Sequence, residues 1–165
     1  TRGHVAPGSG ATLAHSPIGL AVRSGAATPD LRTPELLRQT LLSARNIAYA
    51  GEGASADFFL GTVRALGLAD LLRTRIVAAA SGAAVGRAVA AGEVELGVIP
   101  VSEILPIPGI EVAGAFPSPM AGSITMTAGL PAGRARDAAA RAFVTFLASP
   151  DVESVLKAHG MERGR

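Results

Sequence analysis

The residues best placed to do chemistry in this chain are small and mostly uncharged. Gly51-Glu52-Gly53-Ala54-Ser55-Ala56 joins a short apolar run to an amphipathic one. Ser81-Gly82 and Ile99-Pro100-Val101-Ser102 stand at similar junctions. A loop of small residues that opens a helix brings backbone N–H groups close to a ligand, and the helix end adds a partial positive charge. The chemistry on offer is therefore anion binding. Ser55 has two uses: it can cap the helix, or it can donate its hydroxyl to a bound oxyanion. Spacing alone favours the cap. Asp57 favours it too, because a carboxylate in the first turn already complements the dipole and repels a nearby anion.

Catalytic sets are missing. The histidines are His4, His15 and His159. The first two fall in a loose N-terminal region, and His159 suits the last turn of the final helix, where it complements the helix end. No paired His or His/carboxylate spacing suggests a metal site, and no GxSxG motif is present. Gly51-Glu52-Gly53 begins like GxGxxG, but Ala56 stands where the third glycine belongs. No acid is convincingly placed at a strand end about 20 residues on. Glu93 and Glu95 would share one side of an extended chain. They precede a strand, at its amino end, so they read as a solvated edge. No catalytic residue, metal ligand or cofactor is expected, and the chain is not expected to be an enzyme.

The bulk composition bounds the rest. The chain has 165 residues, of which 48% are hydrophobic and 17% charged, enough to bury a core and inconsistent with disorder. The net charge is +2 and the arginines are scattered, so no nucleic-acid surface is expected. Cysteine is absent, which removes disulfides and thiolate chemistry. No apolar run reaches the ~20 residues of a membrane span. No signal peptide is visible, and the chain starts at Thr1 without Met, so a processed or truncated form is expected.

Local signals then give the elements that must position the loops. The first sixteen residues show little regular structure beyond Gly10 to His15. Pro17 to Arg23 reads as a buried strand, followed by a turn-rich link from Ser24 to Arg32. Thr33-Pro34-Glu35 starts a helix with Leu36, Leu37, Thr40 and Leu41 as its apolar stripe. A strand over Asn46 to Ala50 precedes the Gly51 loop and a second helix ending near Gly67. Arg75 to Ala80, Glu95 to Pro100, Ile110 to Ala115 and Ser123 to Ala128 read as strands. A short helix opens at Ser81-Gly82 and ends at Gly92. Phe116 to Ala121 is a proline-interrupted crossing. Two helices finish the chain, one striped by Ala139, Ala142, Phe143, Phe146 and Leu147, the other started by Ser149-Pro150-Asp151. This alternation predicts an α/β fold with a largely parallel sheet. In such sheets ligands collect beyond the carboxyl ends of the strands, where the three small-residue loops fall.

In this order the motifs resemble the molybdate-binding branch of bacterial extracellular solute-binding proteins. The stretches that carry the resemblance are Ile18 to Ala26, Thr33 to Ala50 with Asn46-Ile47-Ala48-Tyr49, Gly92 to Val98, and Phe143 to Pro150. The resemblance implies a type II periplasmic-binding-protein fold with ligand held between two lobes. One lobe would be complete, with a mixed, mostly parallel sheet, and the other incomplete. Residues 1–17 would be a crossing and N-terminal remnant, 18–115 the ligand-binding lobe, and 116–165 the second crossing and the C-terminal part of the first lobe. Ala54, Ser55 and Ala56, with Ile99 and Pro100 opposite, would bind the ligand. The implied function is the solute-binding component of an ABC importer for a small, molybdate-like oxyanion. Its implied partner is an ABC permease and its location periplasmic or extracellular.

Two departures from the family pattern stand out. The first lobe's opening segments would precede Thr1, so the chain is expected to supply about half the site. Molybdate binders of this branch often place a Tyr in the crossing segment, where this sequence reads Ser123-Ile124-Thr125. Phe143, Phe146, Val155 and Leu156 are expected to be exposed and to drive homo-oligomer formation. Besides a remnant or interaction module that binds no ligand, two alternatives remain open at this stage. One is the ligand-sensing domain of a regulator. The other is a small α/β enzyme using the Gly51–Ser55 loop for phosphate.

Overall fold

A computed structural model describes residues 4–134 and 136–164. The chain divides into two compact units. One spans Pro17–Ile124, and the other combines the residues up to Ser16 with those from Thr125 onward.

The first of these is built on a sheet with strand order β3-β2-β4-β1-β5. Its strands are β1 (Ala11–Arg23), β2 (Ile47–Ala50), β3 (Ile76–Ala79), β4 (Leu96–Pro100) and β5 (Ile110–Ala115). β2 runs parallel to β3 and β4, and β1 runs antiparallel to β4 and β5, so the sheet is mixed. Its helices are α1 (Pro34–Ser43), α2 (Ala54–Ala65), α3 (Ala69–Leu72), α4 (Gly82–Ala91) and α5 (Val101–Ile104).

Side chains alternate across the sheet with period two, and the two faces differ in size. One face carries Ile18, Leu20, Val22, Ile47 and Val98, packed with Leu37 and Leu41 of α1 and Phe59 and Val63 of α2. The other carries Ala21, Ala48 and Ile99, against Val85 and Val89 of α4 and Ile104 of α5. Small residues let α4 lie close to its face. A Cβ at Gly97 would stand 2.8 Å from Val85 Cγ1 and 3.0 Å from Val89 Cγ2, so a glycine is needed there. The ring of Phe59 is fully buried and lies 5.4 Å from that of Tyr49.

The second unit contains the first part of β1, β6 (Ser123–Ala128, from Thr125), α6 (Ala138–Leu147), α7 (Glu153–Ala158) and β7 (Glu162–Arg163). Two 3₁₀ turns, Ala132–Arg134 and Pro150–Val152, lie among them. Ala14 and His15 of β1 pair antiparallel with Arg163 and Glu162. Ser9 Oγ donates to Ala6 O at 2.7 Å and accepts from Leu130 N at 3.0 Å. Among the described residues, the buried apolar side chains of this unit are Ala6, Ala14 and Leu130 alone. No described helix of the chain is long and apolar enough to cross a membrane.

Two local expectations differ from the structure. β1 starts at Ala11 and runs through Pro17, where a strand from Pro17 was expected. Pro17 has no N–H for a ladder, and it sits where β1 changes partners, between pairing with β7 at Ala14–His15 and with β4 from Ile18. The last helix begins with a 3₁₀ turn, in which Ser149 Oγ accepts from Asp151 N at 3.3 Å. The expected exposure of Phe143, Phe146 and Val155 is observed, at 61%, 51% and 59%, whereas Leu156 is half-buried.

The core makes a quantitative demand. Phe59→Ala should cost about 3–5 kcal/mol by leaving a cavity in the larger cluster. Phe143→Ala should change stability by less than about 0.5 kcal/mol, because its ring is already in solvent. Urea unfolding of the two variants measures both.

Candidate functional site

β2, β3 and β4 are parallel, so their carboxyl ends, Ala50, Ala79 and Pro100, lie at one edge of the sheet. This edge gathers the small-residue loops. Gly51–Gly53 leads from β2 into α2, Ser81 from β3 into α4, and Val101 begins α5 directly after β4.

The helix starts of the chain are not alike. Thr33 caps α1 by accepting from Leu36 N at 3.2 Å. Ser81 caps α4 by accepting from Ala84 N at 3.2 Å, and Asp137 caps α6 by accepting from Ala140 N at 3.0 Å. α2 instead starts at Gly53, which has no side chain to offer. Gly53 adopts φ 89°, ψ −178°, a conformation open essentially to glycine alone. Its carbonyl accepts from Ala56 N at 3.1 Å and from Asp57 N at 3.3 Å. The amides of Ala54 and Ser55 precede the first intrahelical bond and have no such partner. Reading Ser55 as the cap is thereby corrected: it is the second residue of α2, because the positive-φ glycine starts the helix two residues earlier. The Ser55 side chain is half-buried and makes no hydrogen bond with the described residues.

The other expected site residues lie where the sequence placed them, in different surroundings. Ala54 is exposed, whereas Ala56 is 4% exposed and can offer little but its backbone. Ile99 is fully buried in the smaller cluster, and Pro100 is buried at the end of β4 and has no N–H. β4 therefore contributes a strand end and an apolar wall at this edge.

The start of α4 carries an acid that sequence reasoning passed over. The Glu103 carboxylate lies against Gly82, so closely that a Cβ there would collide with Oε2. Desolvation pushes the Glu103 carboxyl above its ordinary value of 4.5. Ser102-Glu103 directly after a buried strand was the available signal. The acids at the opposite edge are structural. Glu95 Oε2 accepts from Arg45 N at 3.0 Å, and Asn46 Oδ1 accepts from Glu95 N at 2.9 Å, tying the starts of β2 and β4. His15 Nδ1 lies 3.0 Å from Thr125 Oγ1, and His159 follows the end of α7. No group of three metal-ligating side chains occurs among the described residues.

The model of the family described as bacterial extracellular solute-binding protein matches residues 1–162. The chain belongs to this family. Among curated proteins, an aconitate isomerase from a Pseudomonas species is 32% identical over 163 residues, 97% of this chain. The chain spans 61% of the length of that relative. Two solved structures share the fold. One, from Clostridium difficile, is described as the substrate binding domain of a putative molybdenum ABC transporter. It superposes with a TM-score of 0.82 at 17% identity, over 99% of this chain and 70% of its own. The other, the periplasmic molybdate-binding protein of Azotobacter vinelandii, gives a TM-score of 0.71 at 24% identity, over 99% of this chain and 72% of its own.

Two substitutions probe this edge. Gly53→Ala should cost about 1–3 kcal/mol, read by urea unfolding. Nothing lies within 4 Å of the added methyl, so the cost would be backbone strain. For Glu103, the raised value means that the folded state holds the proton more tightly than the unfolded chain, so stability is lost as pH rises through and above 4.5. Glu103→Gln should therefore melt higher than the parent at about pH 7, with the difference vanishing below about pH 4. Thermal melts across pH measure it.

Proposed function

We propose that this chain is the ligand-binding part of a solute carrier and that it takes a small anion at the carboxyl edge of the Pro17–Ile124 unit. The observation that carries the reading is the start of α2. There a glycine cap leaves the Ala54 and Ser55 amides and the Ser55 hydroxyl without partners among the described residues. Unsatisfied donors at a helix N-terminus favour negative charge. Ala56 would shape the approach, and Ile99 and Pro100 would wall it. The Pro17–Ile124 unit is then the ligand-binding lobe, and the residues from Thr125 onward belong to the other lobe. The named ligands of the relatives, molybdate and aconitate, are both anions rich in oxygen, which supports the chemical class. Delivery to an ABC permease outside the cytoplasmic membrane follows as the role of such a carrier.

A second reading rests on the 32% identity to an aconitate isomerase. Isomerising an unsaturated acid needs a group that can move a proton or ease rotation about a double bond. Glu103, an exposed residue whose carboxylate lies against Gly82, is the candidate proton carrier in this chain.

One screen separates the two. Thermal shift and calorimetry against molybdate, tungstate, sulfate, phosphate and the cis and trans isomers of aconitate should show stabilisation by one class of anion. The response should fall at least about tenfold in affinity in Ser55→Ala, the loss of about one charge-assisted hydrogen bond. Stabilisation by none of these anions would refute the anion reading. Interconversion of the aconitate isomers, followed by NMR and lost in Glu103→Gln, would replace the carrier with the enzyme.

A further inference from the structure

Phe58 stands four residues after Ala54 and three after Ser55 on α2, so it neighbours both on the helix surface. A helical side chain leans back over the turn that precedes it. For Phe58 that turn is the start of α2, where the Ala54 and Ser55 amides lack intrahelical partners. Phe59, the next residue, points into the core and is fully buried.

Two contacts within the Pro17–Ile124 unit hold the Phe58 ring in place. It lies 5.4 Å from the ring of Phe116, tilted by 53°. It also fills the space over Gly122, where a Cβ would collide with Cδ2 and Cε2 of the ring. The Gly122 carbonyl accepts from Ile18 N at 2.8 Å, which ties that backbone to β1. The ring is therefore a fixed apolar surface beside the free donors, and it needs no rearrangement to meet a ligand.

The charges of this edge set a second condition. The segments that follow β2, β3 and β4 (51–57, 80–82 and 101–105) contain Glu52, Asp57 and Glu103 and no Lys, Arg or His. A compact dianion, with oxygen on all its surface, would meet an apolar ring and carboxylates without a counter-charge. An ion with one carboxylate and a carbon skeleton avoids both conflicts. We propose that Phe58 sets the specificity of the α2 start. Its ring takes the carbon skeleton of a small organic monocarboxylate, whose carboxylate accepts from the Ala54 and Ser55 amides. This rests on the anion-binding reading of α2 and narrows it to organic acids over inorganic oxyanions.

NMR titration of the chain with acetate, butyrate, hexanoate, sulfate and molybdate, read at the Ala54 and Ser55 amides, tests it. Butyrate should bind about fivefold more tightly than acetate, the gain for half-burying two methylenes, and hexanoate more tightly still. Sulfate and molybdate should bind more weakly than butyrate. In Phe58→Ala the three acids should bind about as acetate binds the parent, within about twofold. Phe58→Leu, which keeps an apolar side chain, should restore the dependence on chain length. A ring that only supported α2 would, when removed, weaken every ion alike. Equal binding of acetate and hexanoate by the parent would overturn the proposal, and that arm needs no variant to fold. So would a chain-length dependence that survives in Phe58→Ala. Shifts of these amides by sulfate or molybdate and by none of the acids would overturn it and leave the anion reading standing. No shift with any of the five ions would remove both.

Discussion

The Pro17–Ile124 unit depends on burying both faces of one sheet at once. Large aliphatic side chains fill the α1–α2 face and small ones line the α4 face, so the helices stand at different depths from the same strands. A strand shifted by one residue would move Leu20 and Ala21 to opposite faces and break both contacts together. That constraint fixes the register of β2, β3 and β4. The register in turn brings the ends of these strands to a common edge.

At that edge, hydrogen-bond accounting separates the helix starts. A buried or half-buried helix end needs its first amides satisfied, by a side chain, by water or by a ligand. Serine does this for α4, and the Glu103 carboxylate lies against the same turn. α2 has neither. Its glycine cap trades a side-chain acceptor for an open approach, which the proposed anion site would need. Asp57 in the first turn of α2 complements the helix dipole and would oppose a bound anion there, so the proposed site would favour ligands that spread their charge or offer hydrogen-bond donors.

The second unit follows a different balance. It holds three buried apolar side chains among its described residues and leaves two phenylalanines of α6 in solvent. Strand pairing of β1 with β7 and the Ser9 hydrogen bonds to Ala6 and Leu130 supply its order. Hydrogen bonds exchanged with water contribute little net stability, so a unit built mainly on them relies on further burial of apolar surface.

Local chemistry made much of this legible in advance. Thr33-Pro34-Glu35, Ser81-Gly82 and Gly92 carry their own start and stop signals, and α1 begins, and α4 begins and ends, where those residues say. The alternation of strands and helices determined the α/β class, and the order of short motifs marked the family. What the sequence could not decide was any choice between partners. Whether Pro17 begins a strand or sits inside one depended on β7, a two-residue strand with no periodicity to read. Whether Ser55 caps α2 depended on the backbone of Gly53, because glycine permits a positive-φ start without requiring one. Propensity and capping act within a few residues and are written in the chain. Burial, register and the partnering of each donor are set by contacts between distant segments, and only the tertiary structure brings those together.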